Sequence, residues 1–590
     1  MSSRGHTRIS ASLICLVVLV AVAACAGGRP TPVPVTSITP TVTTDPTDKP
    51  GGTLRLLTTA MPSGDPGWAA DAGSRMLLRL VSRQLYSYRA SPDPVFTTAP
   101  QPDLAVGPPA VSEDGKVHTV TLRPSARWDT PGVRRVTATD VARGIKRLCT
   151  PPNPSPMRGY FSATVTGFAA YCDELAKTPV EGVRDFIERR NIDGVQVVGD
   201  DSIEFHLLAP AGDFTDVLAT PAASPVPLEA LAYAPNSPDY FEHLISDGPY
   251  HFGDTVSGET FRLSRNPAWI ASSDGIRPAL ADHVTVRTGV DATAAQTEID
   301  AGRADMALDS TVPAADVAAL DARVDGRLST DGPGSTVLLT VGLHGPASAV
   351  LRSSAVRQAL TYCVDRASAA AALGGPTVAT TTAQLLQAPM AGFQPRDPFP
   401  ALGLTGDPAR CREGTLNASG GPLTTVVLLT TDSAADAAVA SALRDAFARA
   451  GVTLQVNAVA VADYPRIAVP LSAVSWDLAL TRVTPQWFGN AGRSVFQPLL
   501  EPEWSGPRPA DGGYRNERII QLLHDALGER DPVVLPTRWG DLERELLTDA
   551  AIIPLAATVT PRFHSANVRG FLRVPSLDDA DPTAVSLGIA

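Results

Sequence analysis

Clustered positive charge is the first thing this chain lacks. Lys and Arg total 49 against 61 Asp and Glu, giving a formal charge of -12 and no basic block. Nucleic acid is therefore excluded as a partner, because affinity for a phosphate backbone comes from grouped cations. Beyond residue 24 no stretch reaches 18 apolar residues, which excludes a membrane-spanning helix in the processed chain. The 9 His and 6 Cys are scattered, with neither CxxC nor HExxH, so no metal site is expected. Short catalytic signatures are missing too: there is no GxSxG elbow, no GxxxxGK[ST] phosphate loop and no GxGxxG after a strand. A catalytic set assembled from distant positions would leave no such trace.

What is present begins at the amino terminus. Arg4, His6 and Arg8 precede an apolar run from Ile9 to Ala24, too short to span a bilayer comfortably and suited to a signal-peptide core. The run ends in Val22-Ala23-Ala24-Cys25, which resembles a bacterial lipobox. Residues 1–24 are expected to be a lipoprotein signal peptide and Cys25 the lipid-bearing residue. Acylation would hold the protein on the outer face of the cytoplasmic membrane without spanning it. Residues 26–50 contain six Pro and seven Thr and no large aromatic. They cannot bury enough apolar area to offset chain entropy, so 25–50 reads as an extended tether reaching up to about 75 Å.

With 590 residues, 47 of them Gly and 53 Pro, the chain has room for several domains or one two-lobed body rich in loops. Thr53–Leu56, Val117–Leu122, Ile203–Leu207 and Phe261–Leu263 alternate as half-buried strands do. Thr137 followed by Asp140 reads as a capping box opening a helix whose apolar face carries Val141, Ile145, Leu148 and Cys149. Val439, Leu443, Phe447 and Ala450 form another stripe, stopped by Gly451 and followed by the strand pattern Val452–Val456. Strands and helices alternating over this length indicate an α/β fold. In an oxidising compartment the remaining cysteines, Cys149, Cys172, Cys363 and Cys411, allow three pairings. Proximity favours Cys149 with Cys172 and Cys363 with Cys411, closing loops of about 24 and 49 residues that would each add roughly 3.5 to 4 kcal/mol.

The order of segments carries a resemblance. GGTLRLL at the start of the folded region, GDP at 64–66, PDLA at 102–105, SEDGKVHTVTLRPSARW ending at Trp128, VTATDVARGIKRL from Val136, DGPYHF from Asp247, FRLSRNPAW from Phe261, IDAGRADMAL from Ile299 and AVRQALTYCVDR from Ala355 resemble the family 5 extracellular solute-binding proteins. That resemblance runs from about Gly51 to the end. It implies a two-lobed, periplasmic-binding-protein-like α/β fold with an extra subdomain in the first lobe. Lobe I would comprise 51–95, 200–308 and 536–590, the accessory subdomain 96–199, and lobe II 309–535. It also implies a monomer that binds peptide-like or other small solutes without catalysis or cofactor, and hands them to ABC permease subunits.

In peptide-binding members of the family a W-x-x-D-Y-like motif follows a central strand of lobe II, and its Asp pairs with the peptide ammonium. Aligning Trp476–Trp487 on that pattern puts Val483 at the Trp, Gln486 at the Asp and Trp487 at the Tyr. The anchoring carboxylate is replaced by an amide, which suits neutral groups better than an ammonium. Asn490 and Arg493, in the following Gly-broken loop, and Trp68, after Gly64-Asp65-Pro66, complete the expected ligand-facing set. A receptor-like lipoprotein with a sensory or envelope-regulatory role, or a secreted hydrolase, remain the alternatives.

Overall fold

The computed structural model describes residues 50–588 apart from 254–258, 332–333, 396–403, 420, 470–473, 502–509 and 532. Cys25 and the leader lie outside the described residues. The chain enters on β1 (Thr53–Leu57) and α1 (Ala72–Val81). It then makes β2 (Ala110–Val111), β3 (Val117–Thr121), α2 (Ala138–Arg147), β4 (Val195–Val198) and β5 (Ser202–His206). It returns through β6 (Tyr250–Phe252), β7 (Thr260–Arg265), β8 (His283–Arg287) and β9 (Met306–Ala307). The first sheet has the order β9-β1-β8-β7-β6, with β1 parallel to β8 and β9 and the rest antiparallel. A separate antiparallel sheet runs β2-β3-β5-β4.

The second lobe is built on β10 (Thr336–Val341), β11 (Ala379–Thr381), β12 (Thr425–Thr431), α3 (Ala434–Arg449), β13 (Thr453–Val459), β14 (Leu478–Val483), α4 (Gly492–Leu500), α5 (Glu517–Gly528), α6 (Leu535–Thr548) and β15 (Ile552–Thr558). Its sheet runs β11-β15-β10-β14-β12-β13. Every residue of β10 is buried: Val337, Leu339 and Val341 enter one core and Leu338 the other, because helices cover both faces. The turn at Gly451, with φ +79°, ends α3 and feeds β13, as its sequence pattern predicts.

Two expected limits fall inside structural units. The division at 199/200 cuts the β4–β5 hairpin, whose second strand pairs with β3 as well as β4. The return to lobe I at 536 falls in α6, yet α6 packs in the second lobe's core and β15 is a central strand of its sheet. Homologous segments mark the scaffold well, but a boundary depends on which strands pair, and that is a long-range property.

Candidate functional site

The walls of the main cleft come from both lobes. On the first lobe, Asp65 is fully buried and holds Arg147 of α2 with both carboxylate oxygens (3.1 and 2.8 Å). It also accepts the backbone N–H groups of Gly67 and Asn236. A buried pair of this kind fixes a loop when every lone pair has a donor. The loop so fixed presents Trp68, half-buried, with its indole N–H donating to Asn153 O (2.9 Å) and Arg147 5.6 Å from its ring. On the second lobe, β14 ends at Val483, and the chain turns through Thr484 and Pro485 to Gln486, whose backbone N–H donates to Ser494 Oγ on α4 (3.3 Å).

Between these walls lies a cleft of about 370 Å³, lined by Trp68, Arg75, Thr220, Val483, Gln486 and Ser494 among others. A small side chamber of about 30 Å³ shares Arg75, Thr220 and Gln486 with it. Among the described residues, the charged side chains lining the main cleft are Arg75 and Arg482, and no Asp or Glu lines it. Arg482 is paired with Asp436 (2.5 Å).

The expected ligand-facing residues divide accordingly. Trp68, Val483 and Gln486 meet at the cleft. Trp487, Asn490 and Arg493 do not line it. Trp487 is fully buried in the first lobe's core, edge-on to Tyr160 at 5.3 Å, and touches only the side chamber. Asn490 accepts the Trp539 indole N–H (2.8 Å), within its own lobe. Arg493 stacks over Tyr160 (4.2 Å), donates to Gln497 Oε1 (2.7 Å) and sits 3.7 Å from Asp213. The physical reason is the turn itself: past the end of β14, neighbouring side chains face different bodies, so Gln486 meets the cleft while Trp487 and Phe488 cross into the first lobe.

Two hydrogen bonds run between the same two bodies, the first of them at the crossing. Tyr88 Oη donates to Phe488 O (3.0 Å), and Arg530 donates to Glu113 O (2.6 Å). Gly489 takes φ +86° where a Cβ would stand 2.6 Å from Asp216 and 2.8 Å from Thr98 O, so only glycine fits. Burial pushes Asp213 above the usual carboxylate range, and burial together with Asp213 pushes Asp216 well above it.

Sequence reasoning missed Arg75, Thr220 and Ser494. One local signal for Arg75 existed: a cation in the first turn of α1 opposes the helix dipole and so calls for another explanation.

Comparison with known proteins agrees with this architecture. Residues 99–492 match the family described as bacterial extracellular solute-binding proteins, family 5. The periplasmic oligopeptide-binding protein OppA of Escherichia coli (strain K12) is 29% identical over 160 residues, a match spanning 27% of this chain and 27% of OppA. A clavulanic acid biosynthesis oligopeptide binding protein 2 superposes with a TM-score of 0.79 at 26% identity, covering 91% of this chain and 96% of that one. The Escherichia coli murein tripeptide binding protein MppA shares the fold, with a TM-score of 0.69 at 19% identity over 91% of this chain and 98% of its own. These relatives are binding proteins and not enzymes, and with two thirds of its length inside the family match, the chain belongs to the family 5 bacterial extracellular solute-binding proteins.

Proposed function

We propose that this protein is the extracytoplasmic receptor of an ABC importer, closing two lobes around an oligopeptide-like or related small solute and presenting it to permease subunits. The observation that carries this reading is the cleft, whose walls are the Asp65-pinned Trp68 loop of one lobe and the end of β14 in the other. Its volume of about 370 Å³ lies near the lower end of the ~300–1,000 Å³ common for small-molecule sites. That favours a compact solute over a long peptide. A clamp whose two halves each supply part of the site buries its ligand by closing. The oligopeptide-binding names of OppA and of the clavulanic acid pathway protein support the peptide class.

The chemistry at position 486 narrows that class. On the family motif Gln486 takes the place of the amine-anchoring Asp, and among the described residues no carboxylate lines the main cleft to compensate. Desolvating an ammonium without a countercharge is costly, so acylated, cyclic or otherwise amine-free ligands fit better than free-amino peptides. Lipid on Cys25 would keep the receptor on the outer face of the cytoplasmic membrane.

Native mass spectrometry of the purified protein tests the reading, followed by calorimetric titration with peptide pools. A co-purified mass of a few hundred daltons, and stabilisation by the same compound added back, are the expected results. A protein that carries nothing and binds neither free nor N-acylated peptides would remove the peptide class.

A further inference from the structure

Four fully buried arginines of the first lobe come with carboxylates. Arg79 holds Asp581 at 2.5 Å, Arg83 holds Asp103 at 2.8 Å, Arg147 holds Asp65 at 2.8 Å and Arg277 holds Asp103 at 2.7 Å. The rule behind the pattern is that a guanidinium removed from water needs a countercharge and a full set of acceptors.

Arg75, partly buried, has no carboxylate partner of this kind among the described residues. Its Nη1 donates to Ala70 O (2.7 Å), while its buried Nε has no acceptor. The acids whose field it feels are committed elsewhere. Asp71 caps α1 by accepting from Ser74 N (2.8 Å) and Ser74 Oγ (2.6 Å), and Asp578 pairs with Arg562 (3.2 Å). Burial lowers the Arg75 pKa from its ordinary value despite the pull of Asp578 and Asp71, which marks a cation short of compensation. The same side chain lines both the main cleft and the side chamber. The same cleft is lined by Arg482 and the amide of Gln486, with no acid among the described lining residues. With Arg482 matched by Asp436, the unmatched charge among the described lining residues is that of Arg75, which a bound anion can balance.

We infer that the solute is an anion whose carboxylate, or a comparable oxyanion, docks on Arg75 inside the cleft. A guanidinium offers a carboxylate a fixed, directional set of N–H donors that an ammonium or an amide lacks. The inference rests on the solute-receptor reading and extends it: amine-free at the Gln486 end, acidic at the Arg75 end. The carboxylate can come from a peptide terminus or side chain, or from an organic acid that is no peptide.

The test uses the full processed chain in calorimetric titration against four probes: an N-acetylated tripeptide with a free carboxyl terminus, its carboxyl amide, the same amide carrying one Glu side chain, and citrate. The native protein should bind an anionic probe about 10- to 100-fold more tightly than the neutral amide. Arg75→Gln should erase that preference, with an unchanged circular dichroism spectrum and a cooperative melt showing that the variant is folded. Arg75→Lys should keep part of it, as a point charge without the paired donors. Preference for either carboxyl peptide assigns a peptidic acid, and binding of citrate alone assigns a non-peptide acid and sinks the peptide reading while upholding the anion. Equal affinity for amide and carboxylate forms, or a preference that survives Arg75→Gln, overturns the inference and leaves the receptor reading standing. Failure of all four probes counts against both. A second readout needs no ligand: if Arg75 is an uncompensated cation, the unliganded Arg75→Gln protein should melt no lower than native, whereas a purely structural arginine would melt lower on replacement.

Discussion

Gln486 and Asp247 show how differently two polar side chains of conspicuous segments act. Gln486 stands half-buried at the cleft, where an amide meets carbonyls and hydroxyls without charge. Gln486→Asp would supply a fixed negative charge there, so the variant should gain preference for a free amino terminus by at least about tenfold, or 1.4 kcal/mol. Titration of matched free and N-acetylated peptides against both forms measures it, and an unchanged ratio would mean that position 486 does not read the amine. Asp247, in the DGPY segment, serves the scaffold. Its carboxyl is buried, one oxygen accepts the Arg83 backbone N–H (2.9 Å), and the other has no partner. Burial pushes its pKa up to about 8, against the opposing pull of Arg83. The folded state then holds a proton that the unfolded chain releases near pH 4, so this residue's contribution to stability falls as pH rises from about 4 to about 8. Asp247→Asn should flatten the dependence of melting temperature on pH across that window. If native and variant curves run parallel, the buried carboxyl is not the titrating group.

Cross-links between elements separate stability from function. Cys149, just beyond α2, stands at disulfide distance from Cys172 on the helix Phe168–Leu175, with Cα atoms 5.1 Å apart. Cys363 and Cys411 do the same for the helices Ser354–Thr361 and Pro408–Ser419, with Cα atoms 5.2 Å apart. Only the first clip braces a cleft wall, because α2 carries the Arg147 that holds the Trp68 loop. Replacing either pair with Ala should cost about 3.5 to 4 kcal/mol in denaturant unfolding. Ligand affinity should drop for the Cys149/Cys172 variant and stay level for the Cys363/Cys411 variant; equal effects on binding would reject the brace. Elements were also what the sequence showed best. The apolar stripe of α3, the stop at Gly451 and the alternation in β3 and β5 are local patterns that folding did not override. The cleft was less legible. Val483 and Gln486 could be placed because a strand end and a resemblance coincide there, whereas Arg75 and Thr220 reach the same space from positions hundreds of residues away. Trp487 and Arg493 misled for the opposite reason: nearness to Gln486 in sequence does not survive a turn past which Trp487 and Phe488 together enter the other lobe.

At the scale of the whole molecule, binding and shape should change together. The Trp487–Phe488 insertion belongs to the first lobe's core although its chain belongs to the second, so parting the lobes must withdraw two aromatics. Ligand that favours the closed form should shrink the radius of gyration in solution scattering and raise the melting temperature. Trp487→Ala should expand the unliganded protein and cost about 3 to 5 kcal/mol; an unchanged radius would deny the insertion a role in closure. Attachment is a separate matter of the leader. Cys25→Ala should shift the protein from the membrane fraction to the medium or leave it as uncleaved precursor, and lipid labelling that persists in the variant would refute the anchor. The turn after β14 has one more implication, for how such a receptor can evolve. A single added or lost residue there would rotate the series, sending an aromatic into the cleft and an amide into a packed interior. Substitution at 486 changes a cleft-lining side chain and leaves the two packed aromatics in place. Lineages descending from this chain can therefore retune what they carry by exchanging one side chain, while the number of residues in the turn stays locked.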